Sequence, residues 1–168
     1  MEKNIYNVLF LCTGNSARSI LGECLIQRLG RGRFFGFSAG SHPTGKVNPL
    51  ALELLRENNY AVDELRSKSW AEFAQPDAPR MDFFFTVCDS AAAEACSIWL
   101  GEPITAHWGI ADPAKVEGDE TTRMRAFRTA FAELEKRISR FVNLPIESLD
   151  HTKLQRELDA IGLMADSG

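Results

Sequence analysis

The sequence predicts an α/β protein, a three-layer sandwich built around a short four-stranded parallel sheet. Short apolar runs alternate with segments of helical periodicity along most of the chain. Three of these runs end directly in polar or reactive residues, at the strand ends where open parallel sheets bind ligands. The 168 residues suffice for a sizeable core, so we treat residues 1–168 as a single domain.

The individual elements follow from local patterns. Apolar or aromatic runs predict strands at residues 7–11, 34–38, 81–87 and 104–106. Helical spacing predicts helices at residues 20–29, 49–59, 91–96 and 124–141, and a C-terminal helix at about residues 147–162. Gly30 is expected to end the first helix, and Asn48 to cap the second ahead of Pro49.

Residues 12–19, which read Cys-Thr-Gly-Asn-Ser-Ala-Arg-Ser, join the first strand to the first helix. A loop in this position directs backbone N–H groups into a small concavity, and the helix dipole adds partial positive charge. The guanidinium of Arg18 supplies a planar fork suited to a tetrahedral oxyanion. We therefore expect an anion site beside a Cys12 thiolate whose pKa is lowered.

Small and flexible residues fill the rest of this loop. Gly14 and Asn15 tolerate the positive φ that an anion-binding loop requires, and Ser19 is placed to donate a hydrogen bond to the Cys12 sulfur. The alternative is a structural Cys12 with Arg18 on the surface, which leaves the Gly-Asn-Ser run without a reason. The predicted oxyanion-binding residues are Thr13, Gly14, Asn15, Ser16, Ala17, Arg18 and Ser19.

Other candidates for chemistry follow the third and fourth strands. Cys88 at a strand end is placed to meet Cys12, and a Cys88–Cys96 disulfide requires the Ala-rich segment between them to unwind. The alternative is a packed Cys88 with Cys96 on the surface, and Cys24 is expected to be a buried hydrophobe. Asp112 before Pro113 is either a general acid or a turn-forming residue.

Composition narrows the function classes. A net charge of −4 and a pI near 5.4 argue against nucleic acid or an anionic membrane as the main partner. The N-terminus does not resemble an export signal, so we expect a cytoplasmic protein whose four cysteines serve chemistry. The three histidines have no metal-ligand spacing with the cysteines, so we predict no metal site and no tightly bound cofactor.

Several motifs together resemble the low-molecular-weight protein tyrosine phosphatase superfamily: residues 11–19, 38–40 and 112–113. Residues 86–89 with Cys96, and residues 107–109 with 112–114, are more narrowly similar to its arsenate reductases. The runs at residues 37–43 and 105–109 most resemble the glutathione/glutaredoxin-coupled branch. The resemblance spans roughly residues 8–141 and implies a low-molecular-weight phosphatase-like fold.

The resemblance implies a role for each candidate. Cys12 attacks arsenate held by the loop and Arg18, Asp112 protonates the departing oxygen, and a second thiol releases arsenite. Cys88 or glutathione is that second thiol. Cys88 and Cys96 match a relay in the thioredoxin-coupled branch, with one extra residue between them here. The implied external reductant is glutathione with glutaredoxin, with thioredoxin the less favoured partner, and phosphate and sulfate are expected to mimic arsenate.

Two departures separate the chain from the phosphatases. Ala17 stands where those enzymes usually carry a second cysteine, and Ala114-Lys115 replaces the tyrosines that line their aromatic slot. Two alternatives remain: a phosphatase acting through a phosphocysteine, and an oxyanion-binding module without catalysis. A phosphatase needs Cys12, Arg18 and Asp112 but not the other thiols, and a binding module predicts ordinary Cys12 reactivity.

Overall fold

A computed structural model describes residues 5–88 and 103–164. Its sheet has four parallel strands in the spatial order β2-β1-β3-β4. The strands are β1 (Tyr6–Cys12), β2 (Phe34–Gly40), β3 (Phe83–Thr86) and β4 (Ile104–His107). The predicted α/β class and four-stranded parallel sheet are confirmed, with each strand within two residues of its predicted ends.

Four α-helices are described: α1 (Arg18–Leu29), α2 (Pro49–Glu57), α3 (Glu120–Val142) and α4 (His151–Gly162). Asn48 caps α2 as predicted, because its side chain accepts a hydrogen bond from the Leu50 N–H. The C-terminal helix begins at His151, after a 3₁₀ turn at Ile146–Ser148, and so is shorter than predicted. A second 3₁₀ turn, Trp70–Ala74, was not predicted, and the helix predicted at residues 91–96 lies outside the described residues.

Strand β1 is the centre of the core. Its residues Val8 to Leu11 are fully buried, as expected for a parallel strand covered on both faces. Helices α1 and α3 pack against each other, and α1 lies along β1 and β2. The helix predicted at residues 124–141 is α3, and its apolar residues from Met124 to Phe141 are buried in this core. Because β1 is buried on both faces, it holds the residues at its carboxyl end in a fixed position.

Trp108 joins the end of β4 to the C-terminal helix. Its ring is fully buried and stacks on Phe85, with the ring centroids 3.8 Å apart. The indole N–H donates to the Leu158 carbonyl of α4 at 2.9 Å. Arg137 of α3, also buried, donates to the carbonyls of Trp108 and Gly109 at 3.2 and 3.0 Å. The chain that leaves β4 is therefore held from two helices.

Helix α4 also covers the edge of the sheet at β4. The Gln155 side-chain amide donates to the Thr105 carbonyl at 2.8 Å, so a backbone acceptor of the edge strand is hydrogen-bonded.

No helix among the described residues is both long and apolar enough to cross a membrane.

Replacing Trp108 by Phe should lower the free energy of unfolding by about 2–4 kcal/mol, because it removes ring volume and the indole N–H that donates to the Leu158 carbonyl. Urea denaturation measures this change. The matched control is Phe35→Leu, since Phe35 is 47% exposed and its replacement should cost less than about 0.5 kcal/mol. Equal stabilities of the two variants would contradict the role given to Trp108.

Candidate active site

One cavity of about 660 Å³ opens at the carboxyl edge of the sheet. Four chain segments form it: the loop after β1, the segment after β2, the end of β3, and the segment after β4. Its lining residues are Cys12, Thr13, Gly14, Asn15, Ser16, Ala17, Arg18, Thr44, Cys88, Ile110, Ala111, Asp112, Ala114 and Lys115. The expected gathering of strand-end residues at one edge is therefore observed.

The loop of residues 12–18 is held by the segment at residues 42–48. The Thr13 carbonyl accepts from the His42 N–H at 2.9 Å, and the Gly14 carbonyl accepts from the Thr44 N–H at 3.0 Å. The Ser16 carbonyl accepts from the Asn48 N–H at 2.8 Å. Because these three carbonyls are hydrogen-bonded to residues outside the loop, the loop can present its backbone N–H groups to an anion.

Asn15 supplies the left-handed backbone conformation of this loop. Its φ is +46°, its side chain is fully buried, and both ends of its amide are bonded. Oδ1 accepts from the Lys68 N–H at 2.8 Å, and Nδ2 donates to the Ser19 hydroxyl at 2.8 Å. The expected positive φ is thus found at Asn15 and not at Gly14, whose missing side chain instead lets Thr44 approach.

Ser19 lies behind the loop and not in the cavity. It is fully buried, and its recorded contact is the hydrogen bond it accepts from Asn15. The expected bond from Ser19 to the Cys12 sulfur is therefore not the contact it makes. Because Ser19 is absent from the cavity lining and bonds to Asn15, it stabilises the loop's conformation and does not line the anion site.

The pKa of Cys12 is raised, opposite to the sequence-based expectation. The largest cause is a side-chain hydrogen bond with Cys88, and burial of the sulfur acts in the same direction. The Arg18 guanidinium and the Thr13 N–H lower the pKa but do not outweigh these effects. A second thiol against the first is the reason for the correction, because two adjacent sulfurs cannot both ionise easily.

Cys88 sits in the cavity beside the loop. It is buried, and its sulfur lies 3.5 Å from the Thr13 hydroxyl oxygen. Cys24 is buried on α1, where desolvation raises its pKa to about 12, as expected for an inert core thiol. The expectations for Cys96 lie outside the described residues.

Arg18 and Asp112 form an ion pair across the mouth of the loop. Their closest atoms, Nη2 and Oδ2, are 3.3 Å apart, and Nη1 of Arg18 donates to the Ile110 carbonyl at 3.0 Å. Asp112 also accepts from the Ala114 N–H at 2.9 Å and so caps the short turn Pro113–Lys115. The two interpretations of Asp112 are therefore compatible: it forms the turn, and the turn holds its carboxylate at the cavity.

Sequence reasoning missed several cavity residues, among them Thr44 and Ile110. Neither carries a motif, and only the packing of its segment against the loop places it there. Ala114 and Lys115, which replace the tyrosines that line the aromatic slot of the phosphatases, also line the cavity.

Among residues 5–88 and 103–164, no group of three His, Cys, Asp or Glu side chains could hold a metal ion.

Gly40→Ala should weaken the binding of phosphate at least about tenfold. A Cβ at this position would lie 2.5 Å from the Thr13 carbonyl oxygen and 3.0 Å from the Asn15 nitrogen, so the loop backbone must shift. Calorimetric titration with phosphate measures the loss. The control is Gly32→Ala, which strains a φ of +89° with nothing nearby, and it should lower stability without changing phosphate affinity.

Cys88→Ala should lower the pKa of Cys12, because it removes the hydrogen bond that contributes most to raising it. More Cys12 is then ionised at pH 7, so alkylation by iodoacetamide should become at least about tenfold faster, one pKa unit being tenfold in thiolate. Peptide mass spectrometry against pH gives the rate at Cys12 itself. Cys24→Ala should leave that rate unchanged, and an unchanged rate in Cys88→Ala would contradict the assigned cause.

The chain is similar to known proteins in both sequence and fold. The family model for low molecular weight phosphotyrosine protein phosphatase matches residues 7–159. An arsenate reductase of Bacillus licheniformis is 34% identical over 141 residues, covering 83% of this chain and 95% of the relative.

Two solved structures illustrate the shared fold. An arsenate reductase from Archaeoglobus fulgidus superposes with a TM-score of 0.63 at 26% identity, covering 82% of this chain and 99% of its own. The tyrosine phosphatase Wzb from Escherichia coli K30, in complex with sulphate, gives a TM-score of 0.63 at 22% identity, with coverages of 82% and 96%. Given a family match over most of its length, this chain belongs to the low molecular weight phosphotyrosine protein phosphatase family.

Proposed function

We propose that this protein is an arsenate reductase that converts arsenate to arsenite through a Cys12–arsenic adduct. Its relatives support the activity, since the B. licheniformis protein of 34% identity is named an arsenate reductase. The observation that carries the proposal is that the cavity lined by Arg18 and Asp112 holds two buried thiols, Cys12 and Cys88, whose interaction raises the pKa of Cys12. A phosphatase needs one thiol there, whereas reduction needs a second thiol to take part.

The first step is the displacement of one arsenate oxygen. The amides of residues 13–18 and the Arg18 guanidinium bind the oxyanion, and the Cys12 sulfur bonds to arsenic. One As–O bond breaks, and in net terms the proton lost by the Cys12 thiol ends on the departing hydroxide. Asp112 delivers that proton, so water leaves and Asp112 acts as the general acid.

The second step reduces the arsenic. A second thiolate attacks the Cys12 sulfur, a disulfide bond forms, and the sulfur–arsenic bond breaks. The electron pair of that bond stays on arsenic, so As(V) becomes As(III) while two thiol sulfurs are oxidised to a disulfide. Because Cys88 lines the same cavity as Cys12 and interacts with it, we propose Cys88 as the attacking thiol, with glutathione as the alternative.

The disulfide must then be reduced from outside the active site. We propose glutathione with glutaredoxin as the external reductant, thioredoxin being the less favoured partner, and Cys96 as the thiol that takes over the disulfide from Cys88. Such a cycle belongs in a reducing compartment, so we assign the reaction to the cytoplasm. Its purpose would be arsenate detoxification.

The walls of the cavity favour a small inorganic substrate. Ala114 and Lys115 lie at the mouth, and neither offers an aromatic face for stacking against a phosphotyrosine ring. Lys115 instead adds a positive charge to the cavity lining that Arg18 also contributes to, which favours a compact anion. A family phosphatase acting through a phosphocysteine is the second candidate, because the Wzb phosphatase shares this fold.

Arsenite release with glutathione and glutaredoxin tests the proposal. Cys12→Ser should abolish it, Cys88→Ser should lower it at least about a hundredfold if Cys88 attacks, and Asp112→Asn should lower it by about 10²–10⁴ through loss of the general acid. Cys24→Ser is the matched control and should stay within about twofold of the wild type, since that thiol is buried away from the cavity.

Other outcomes discriminate the alternatives. Full activity of Cys88→Ser would assign the second attack to glutathione. A higher rate with thioredoxin than with glutaredoxin would replace the proposed reductant. Rapid hydrolysis of p-nitrophenyl phosphate without any arsenite would overturn the reductase in favour of the phosphatase. Neither product, with phosphate still bound, would indicate a binding module.

A further inference from the structure

A buried ammonium group lies on the side of the oxyanion loop away from the cavity. The side chain of Lys68 is only 9% exposed. Its Nζ lies 2.9 Å from the Arg66 carbonyl oxygen, 3.4 Å from the Ser38 hydroxyl and 3.7 Å from the Glu23 carboxylate. Ser38 donates in turn to the same oxygen of Glu23. The ammonium therefore joins β2, α1 and the chain at residues 66–68.

Burial of this charge is unfavourable in itself. Desolvation lowers the pKa of Lys68, and the neighbouring Glu23 carboxylate only partly opposes that shift. A buried charge is retained where it is paired and hydrogen-bonded, which is the arrangement seen here. Lys68 is absent from the cavity lining, so contact with substrate does not account for it.

The backbone of the same residue holds the anion loop. The Lys68 N–H donates to Asn15 Oδ1 at 2.8 Å, and the Lys68 carbonyl accepts from the Gly40 N–H at 2.9 Å. The preceding residue, Ser67, donates through its hydroxyl to the Gly14 carbonyl at 3.1 Å. Residues 67 and 68 thus bind the two central residues of the loop from behind.

Asn15 needs this support because its φ of +46° is uncommon for a residue with a side chain. Its buried amide oxygen would lack a donor if residue 68 moved away. The charged end of Lys68 anchors the segment to Glu23 and Ser38, and its backbone end fixes Asn15. A loop preorganised in this way does not have to be ordered by the ligand, so the anion binds more tightly.

We propose that Lys68 is a positioning residue: its buried ammonium, seated between Glu23 and Ser38, locks residues 66–68 against Asn15 and keeps the loop of residues 12–18 in its anion-binding form. This assignment rests only on the oxyanion-binding part of the proposed function. It adds a side chain that touches neither the substrate nor the reacting sulfurs.

Lys68→Met tests the assignment, because methionine keeps most of the length and removes the charge. We expect phosphate to protect Cys12 from iodoacetamide at least tenfold more weakly than in the wild type, measured by peptide mass spectrometry. The matched control is Lys153→Met, since Lys153 is exposed on α4, and its protection should equal that of the wild type. A folded Lys68→Met with wild-type protection overturns the proposal.

Chemical rescue separates positioning by the charge from general stability. Lys68→Ala lacks the propyl-ammonium part of the side chain, so n-propylammonium chloride should restore phosphate protection, and tetramethylammonium chloride at equal ionic strength should not. No recovery with n-propylammonium, in a folded protein, overturns the role of the charge.

If Lys68→Met does not fold, Lys68→Ala is purified with n-propylammonium, which is then removed by dialysis. Loss of phosphate protection before loss of the far-ultraviolet circular dichroism signal supports the proposal, and simultaneous loss of both overturns it. Absence of protection in the wild type itself would count against the proposed function. Equal protection in the wild type and Lys68→Met counts against Lys68 alone.

Discussion

The candidate site depends on a set of backbone hydrogen bonds that hold one loop from behind. The carbonyls of Thr13, Gly14 and Ser16 are bonded to the segment at residues 42–48, and Asn15 is bonded to Lys68. An anion site of this kind needs amide donors that converge, which a loop free to rearrange would not provide. The surrounding chain supplies that constraint, and Gly40 permits it by leaving room for Thr13 and Asn15.

Two opposing influences act on the reactive sulfur. Arg18 and the Thr13 N–H favour a thiolate at Cys12, whereas Cys88 and burial favour the thiol. The second pair dominates, so the pKa of Cys12 is raised. A site with one thiol would profit most from a lowered pKa, since hydrolysis needs only a nucleophile. In this site a second buried thiol, Cys88, lines the same cavity, and its interaction with Cys12 raises the Cys12 pKa.

The Asp112 side of the cavity is positioned by the segment that leaves β4, the edge strand of the sheet. Trp108 and Arg137 anchor the chain where it leaves β4, and the capped turn after Asp112 then directs its carboxylate toward Arg18. The C-terminal helix takes part through its Leu158 carbonyl. Packing remote from the cavity therefore decides how precisely Asp112 and Arg18 face each other.

The sequence by itself determined the strands, most helix ends and the strand-to-helix loop from Cys12 to Arg18. The strands and helix ends depend on local periodicity and on caps such as Asn48, which act over a few residues. The turn after Asp112 likewise depends on its neighbour Pro113. Only the tertiary structure decided the environment of these residues. Cys88 and Cys12 line one cavity as their strand ends predicted, but the pKa of Cys12 shifts opposite to the expectation, and Lys68 lies behind Asn15, which no motif indicated. Electrostatic and hydrogen-bonding environments are set by neighbours in space, which residue spacing along the chain does not encode.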